Sequence, residues 1–172
     1  MPNSFARLGL AGVLLTLAGT AVASEPISAT STAAAPASPS TEAATAAVDA
    51  DADKALVLAF YEDAFGRRDP NVVWTYFGYN FIQHDPTIED GVNGFARYQQ
   101  KLLADYPQYS YELRRAVSSG GMVTVHVLER PHPWDRGNVQ IHIYRVANGA
   151  LAEHWVVQRP IPDTSLNANG LF

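Results

Sequence analysis

The chain has 172 residues, a formal net charge of −5 and no cysteine, with 47% hydrophobic and 17% charged residues. The missing cysteine excludes a disulfide scaffold, a cysteine-ligated metal and a thiol nucleophile. Without a basic excess the chain lacks the electrostatic footprint of a nucleic-acid binder, so no nucleic-acid partner is expected.

The first stretch carries Arg7, an apolar run from Leu8 to Ala18, then Ala21-Val22-Ala23 before Ser24. This is the pattern of a signal peptide over residues 1–23, so the mature chain is expected to begin near Ser24 and to be periplasmic or secreted. The apolar run is shorter than the ~20 residues that span a bilayer, so no membrane span is expected after processing. Residues 24–53 are Ala, Ser, Thr and Pro with five acids and no aromatic residue, a composition that predicts a disordered linker. With Arg7 and those five acids set aside, 11 basic residues face 12 acidic ones, so the domain expected over residues 54–172 is close to neutral.

Within that domain, Leu56, Phe60 and Ala64 recur at helical spacing beside Val57 and Tyr61, with Asp53 as the expected cap and Gly66 as the stop. A short helix from Asp69 to Tyr76 is predicted next, with Pro70 in its first turn. An extended segment over Tyr79–Asp85 leads to a helix over Asp90–Ala104, where Phe95, Tyr98, Leu102 and Leu103 share a side before Pro107 ends it. The period then changes. Tyr109–Val117, Met122–Glu129, Val139–Val146 and Leu151–Gln158 are rich in Val, Ile, Tyr and Trp, and Gly120-Gly121 and Asn148-Gly149 separate neighbouring runs as strand turns. Helices first and a meander after them predict an α+β fold, a curved antiparallel sheet wrapped against N-terminal helices with a pocket between the layers.

Phe81-Ile82-Gln83-His84-Asp85-Pro86 followed by Asp90-Gly91 before a helix resembles the Gln-His-Asn-Pro and Asp-Gly signature of SnoaL-like proteins of the nuclear transport factor 2-like superfamily. Asp135-Arg136-Gly137, Ile143-Tyr144-Arg145-Val146, Glu153-His154-Trp155 and the ending Asn167 to Phe172 extend the resemblance. It implies a cone with an internal hydrophobic cavity, commonly in a homodimer. It also implies relatives that are polyketide cyclases closing a ring by an aldol reaction without metal or cofactor, ketosteroid isomerases, dehydratases or non-catalytic binding modules. The chain departs from that pattern at His142 and Val156, where the resemblance implies aspartates.

All five histidines, His84, His126, His132, His142 and His154, lie in the domain. Imidazole trades protons near neutral pH, and enolising a ketone needs such a base together with a donor for the oxyanion. His142, His154 and His126 are therefore the candidate catalytic residues. His84, Tyr144, Trp155, Tyr98 and Phe95 are candidates for contact with a small apolar ligand or carbonyl substrate. His132, between two prolines, reads as a loop residue. Arg145 and Arg159 read as solvated edge residues or as contacts to an acidic substrate. Phe60, Tyr61, Trp74, Tyr76, Phe77 and Trp134 read as core or pocket wall. No cofactor or metal is expected, since no short His-x-His spacing is present.

Whether the histidines meet depends on the last hairpin. A two-residue Asn148-Gly149 turn sets His142 and His154 on opposite faces. A three-residue turn over Ala147–Gly149 pairs them, with Gln140 and Tyr144 on the same face and Ile141, Ile143, Trp155 and Val157 on the other. The second is favoured, because a three-residue loop wants Gly last. The leading functional reading is binding of a small apolar carbonyl compound with cofactor-independent proton transfer, by aldol cyclisation or isomerisation. The other is a non-catalytic binding module.

Overall fold

A computed structural model of the chain describes residues 41–172, so the expected signal peptide and the first part of the expected linker lie outside the described residues. Helix α1 spans Thr41–Tyr61, beginning well upstream of the expected cap at Asp53. The linker expectation over residues 41–53 is thus corrected. No proline lies between Pro39 and Tyr61, and the alanines there have the highest helix propensity of any residue. The last turn continues as a π-helical turn over Glu62–Gly66, closed by Arg67 N donating to the Glu62 carbonyl at 2.7 Å. Among the described residues no helix is long and apolar enough to cross a membrane.

The predicted helix over 69–76 contracts to α2, Val73–Tyr76. Its first half is a turn instead, because the Asp69 carboxylate accepts the Asn71 N–H at 2.9 Å and ties the chain locally. Strand β1, Phe77–Gln83, follows directly. Helix α3, Gly91–Asp105, starts as expected: Asp90 Oδ1 accepts from Gly91 N and from Gln83 N, both at 2.8 Å. One carboxylate thus caps the helix and holds the end of β1. At the other end of α3, Arg68 donates to the carbonyls of Leu103, Tyr106 and Tyr109 at 3.1–3.2 Å, satisfying groups that the helix terminus leaves open.

Strands β2 (Ser110–Ser119), β3 (Met122–Arg130), β4 (Asn138–Ala147) and β5 (Ala150–Pro160) form the expected meander. The five strands lie in the order β1-β5-β4-β3-β2, with β1 parallel to β5 and the remaining pairs antiparallel. The helices cover one face. Phe60 is fully buried at the centre of that contact, ringed by Tyr61, Phe77, Phe95 and Tyr144 at centroid separations of 5.1–6.2 Å. Burying such a side chain contributes roughly 1.5–3 kcal/mol. On the opposite face Val117 and Val157 remain well exposed. Trp74 and Trp134, read as core or pocket wall, are instead exposed at 55% and 74%.

Candidate functional site

Between the inner sheet face and the helices lies a cavity of about 290 Å³. Its floor is Gln140, His142 and Tyr144 of β4 with His154, Val156 and Gln158 of β5. Tyr61 of α1, Phe65 of the π-helical turn, and Phe95, Tyr98 and Leu102 of α3 form the wall. Val127 and Glu129 of β3 close the side.

The register that builds this floor is neither of the two expected ones. Ala147 pairs with Ala150, so Asn148-Gly149 is a two-residue turn, with φ of +53° and +70°. Both positions being left-handed is the geometry that Asn-Gly favours, which overrides the three-residue alternative. The register then shifts by one residue: Val146 faces Leu151, but Arg145 faces Glu153 and Tyr144 faces His154. Ala152 is the extra residue of a β-bulge. The bulge returns His154 to the face of His142, so the two rings meet although the turn is the one that would have parted them.

They meet within a continuous hydrogen-bonded chain. Gln83 Oε1 lies 2.9 Å from the Asp85 N–H and 3.0 Å from His154 Nδ1. His154 Nε2 lies 2.9 Å from His142 Nδ1, and His142 Nε2 lies 2.7 Å from the Gln140 carboxamide, which continues to Gln158 at 3.0 Å. Burial holds both imidazoles neutral: His142 is driven well below its ordinary value by desolvation and by His154, and His154 is lowered to about 4 by desolvation.

Neutrality and the main chain together fix the protons. The Asp85 N–H can only donate, so the Gln83 oxygen is an acceptor and His154 carries its proton on Nδ1. Its Nε2 must then accept, which puts the His142 proton on Nδ1 and leaves a lone pair on His142 Nε2. Gln140, placed with Oε1 2.7 Å from His142 Nε2 and with Nε2 donating to Gln158 Oε1 at 3.0 Å, meets that lone pair with its NH2 when its amide turns over. When His142 gains a proton, Gln140 Oε1 accepts it and Gln140 Nε2 donates to Gln158 Oε1, so the amide pair reverses. Gln83 Nε2 is buried without a partner, a cost tolerated to keep its oxygen on these two donors.

The SnoaL-like domain family matches residues 57–154. The chain belongs to the SnoaL-like family. Its fold is that of solved relatives. A candidate ketosteroid isomerase from Kribbella flavida superposes with a TM-score of 0.56 at 16% identity, over 72% of this chain and 90% of that one. A candidate polyketide cyclase from Acidithiobacillus ferrooxidans gives 0.54 at 16% identity, over 62% and 87%. IdmH, a candidate polyketide cyclase from Streptomyces antibioticus, gives 0.52 at 17% identity, over 62% and 91%. No curated protein matches the sequence significantly.

In this SnoaL-like cone the candidate residues divide by face. His142, His154, Tyr144, Tyr98 and Phe95 line the cavity. His126 does not: on β3 it alternates with the buried Val125 and Val127, so its ring lies on the outer face, accepting from Arg115 at 2.9 Å and packing against Phe172. His84 and Trp155 are likewise corrected. Trp155 pairs with Ile143 on the outer face, and His84 stacks on it at 4.3 Å while donating to Glu153 at 2.9 Å. Arg145 is engaged by the same Glu153 at 2.5 Å, and neither Arg145 nor Arg159 lines the cavity.

Four contributors were not among the candidate site residues. Gln83 and Gln140 flank the ring pair, and their signal was available: each sits two residues from a histidine or a backbone turn on the same strand face. Glu129, the last inward residue of β3, is a carboxylate in the cavity wall that read as a strand end. Tyr61 reads as core or pocket wall, and its hydroxyl accepts from Tyr144 at 3.2 Å, which leaves its own proton free to donate. Desolvation raises Tyr61, Tyr98 and Tyr144 above the ordinary tyrosine value, so all three stay protonated donors at neutral pH. Among the described residues no three of His, Asp and Glu converge as metal ligands.

Proposed function

We propose that this SnoaL-like domain binds a small, largely apolar carbonyl compound and catalyses cofactor-independent proton transfer on it. The observation that carries the reading is the pairing of a neutral base with a free donor. The Tyr61 and His142 rings meet edge to face at 5.9 Å at one cavity. His142 Nε2 takes a proton from the carbon beside the carbonyl once Gln140 swings aside. The Tyr61 hydroxyl donates to the oxyanion that forms. The proton returns from His142 to another carbon in an isomerisation, or to the new hydroxyl oxygen after a carbon–carbon bond closes in an aldol step. His154 orients His142 and stabilises its charged form through the Nδ1 bond.

Solvent-deuterium exchange into 2-tetralone, a ketone with acidic α-hydrogens, tests this. Exchange should be accelerated by the protein and fall about 10²–10⁴-fold in His142→Ala, the usual contribution of a positioned acid–base group. Binding of 2-tetralone without accelerated exchange would replace catalysis with the binding-module reading, which the valine at position 156 favours. Export and homodimer formation belong to the same proposal. The pattern over residues 1–23 supports the former and the family resemblance the latter, and intact mass and sedimentation of the exported protein check both.

A further inference from the structure

The cavity holds one buried carboxylate without a counter-charge. Glu129 extends the inward row of Val123, Val125 and Val127 on β3 and is 8% exposed. Its Oε2 accepts from the Tyr109 hydroxyl at 3.1 Å and its Oε1 from Asn138 Nδ2 at 3.3 Å, both neutral donors. Among the described residues it pairs with no cation, and no lysine or arginine lines the cavity. The other carboxylate in the lining is Asp85. Both cavity histidines are kept neutral by burial, so nothing in the lining offers Glu129 a positive charge.

An uncompensated buried carboxylate costs several kcal/mol, and an apolar residue of similar shape would remove that cost. Desolvation accordingly pushes Glu129 up from the ordinary carboxylate value. Groups that lower stability in a cleft mark positions where a ligand restores the balance. The surroundings name the sign of the missing partner. Tyr98, Tyr106, Tyr109 and Phe65 line the same cavity, and aromatic faces around a carboxylate attract a cation.

We propose that the Glu129 end of the cavity receives a protonated amine of the ligand. The proposal rests on the ligand-binding reading above and narrows it to amine-bearing carbonyl compounds. Glu129 faces Asn138 across the β3–β4 ladder, and Asn138 lies four residues from His142 along β4. At about 3.3 Å per residue the two stations are ~13 Å apart along the floor, before side-chain reach shortens the span. The ligand therefore carries its amine and its carbonyl at opposite ends of a short apolar body. Anions such as free carboxylic acids are excluded by the same carboxylate.

Three probes of one skeleton separate the alternatives: 4-phenylbutan-1-amine, 4-phenylbutan-1-ol and 4-phenylbutanoate, titrated into the full chain at pH 7. The amine should bind at least tenfold more tightly than the alcohol, and the carboxylate should not bind. Glu129→Gln should bring amine and alcohol within twofold of each other while raising Tm. The carboxyl 13C shift of Glu129 in the unsubstituted protein gives a second readout, since the amine should lower the pH at which that group titrates. Equal affinity for amine and alcohol, or an unchanged preference in Glu129→Gln, overturns the cation site. If 2-tetralone binds and none of the three probes does, the cation site falls and the ligand-binding reading stands. If 2-tetralone also fails to bind, both fall.

Discussion

Val156 stands directly across from His142 in the β4–β5 ladder, at one of the two positions where the family resemblance implies an aspartate. Side chains on directly opposed residues approach to about 4.5–5.5 Å at Cβ, so Val156→Asp would bring a carboxylate to the ring. That charge favours the imidazolium, and His142 should titrate above its present depressed value, read from its ring 15N shifts. Gln83 offers a sharper test. Gln83→Leu removes the acceptor that holds the His154 proton on Nδ1. The two rings should then reverse, each carrying its proton on Nε2 so that Gln140 Oε1 becomes the final acceptor. Imidazole 15N spectra distinguish the two tautomers, and an unreversed pair in Gln83→Leu would show that Gln83 does not set the order. Which of these roles could be read in advance is a matter of range. His142 and Tyr144 were legible as one polar face because alternation along a strand is local, whereas His154 joins them through a register the pattern left open. The roles of Gln83 and Tyr61 were not, because each depends on a partner 71 or 83 residues away.

The β5 bulge illustrates the same limit for an element. Strand existence and the Asn-Gly break between strands follow from the sequence pattern, while the two-residue form of the turn and the one-residue slip at Ala152 do not. A slip moves every side chain to the other face, so it is decided by what the buried face requires rather than by the turn. Here Leu151 and His154 are both buried, three positions apart, which a regular strand cannot achieve. Deleting Ala152 should therefore be tolerated. It leaves Glu153 opposite Arg145 and His154 opposite Tyr144 in an unbroken ladder, so the tautomer signature of the ring pair should persist. Separation of the two rings in that deletion would show that the twist of the bulge, and not the register, holds them. Upstream, helix α1 departs from the linker expectation for a related reason: its alanines fit a linker composition, yet Ser118 of β2 hydrogen-bonds the Ala50 carbonyl and anchors that stretch to the sheet.

At the scale of the whole molecule, the α+β cone was legible from the change of hydrophobic period, whereas the parallel pairing of β1 with β5 required tertiary contacts. Burial of the ring pair also gives the fold a pH dependence. His142 and His154 titrate lower in the folded chain than their ordinary 6.5, so between that value and about 4 the unfolded chain binds more protons. Their contribution to stability is complete above pH 6.5 and is lost as pH falls toward 4, at up to about 1.4 kcal/mol per unit for each ring. Glu129, raised by burial, acts with the opposite sign and offsets part of the loss. Denaturant midpoints measured between pH 7 and pH 4 should decline, and in His142→Gln the decline should be shallower.

The Asp85 N–H that orders the chain from Gln83 to Gln158 belongs to the main chain, and every residue except proline carries that group. Drift at position 85 can therefore alter the charge beside the cavity while leaving the proton order of the histidines intact. The polarity of this site is inherited from the backbone, and it is open to mutation chiefly at Gln83, the one side chain that transmits it.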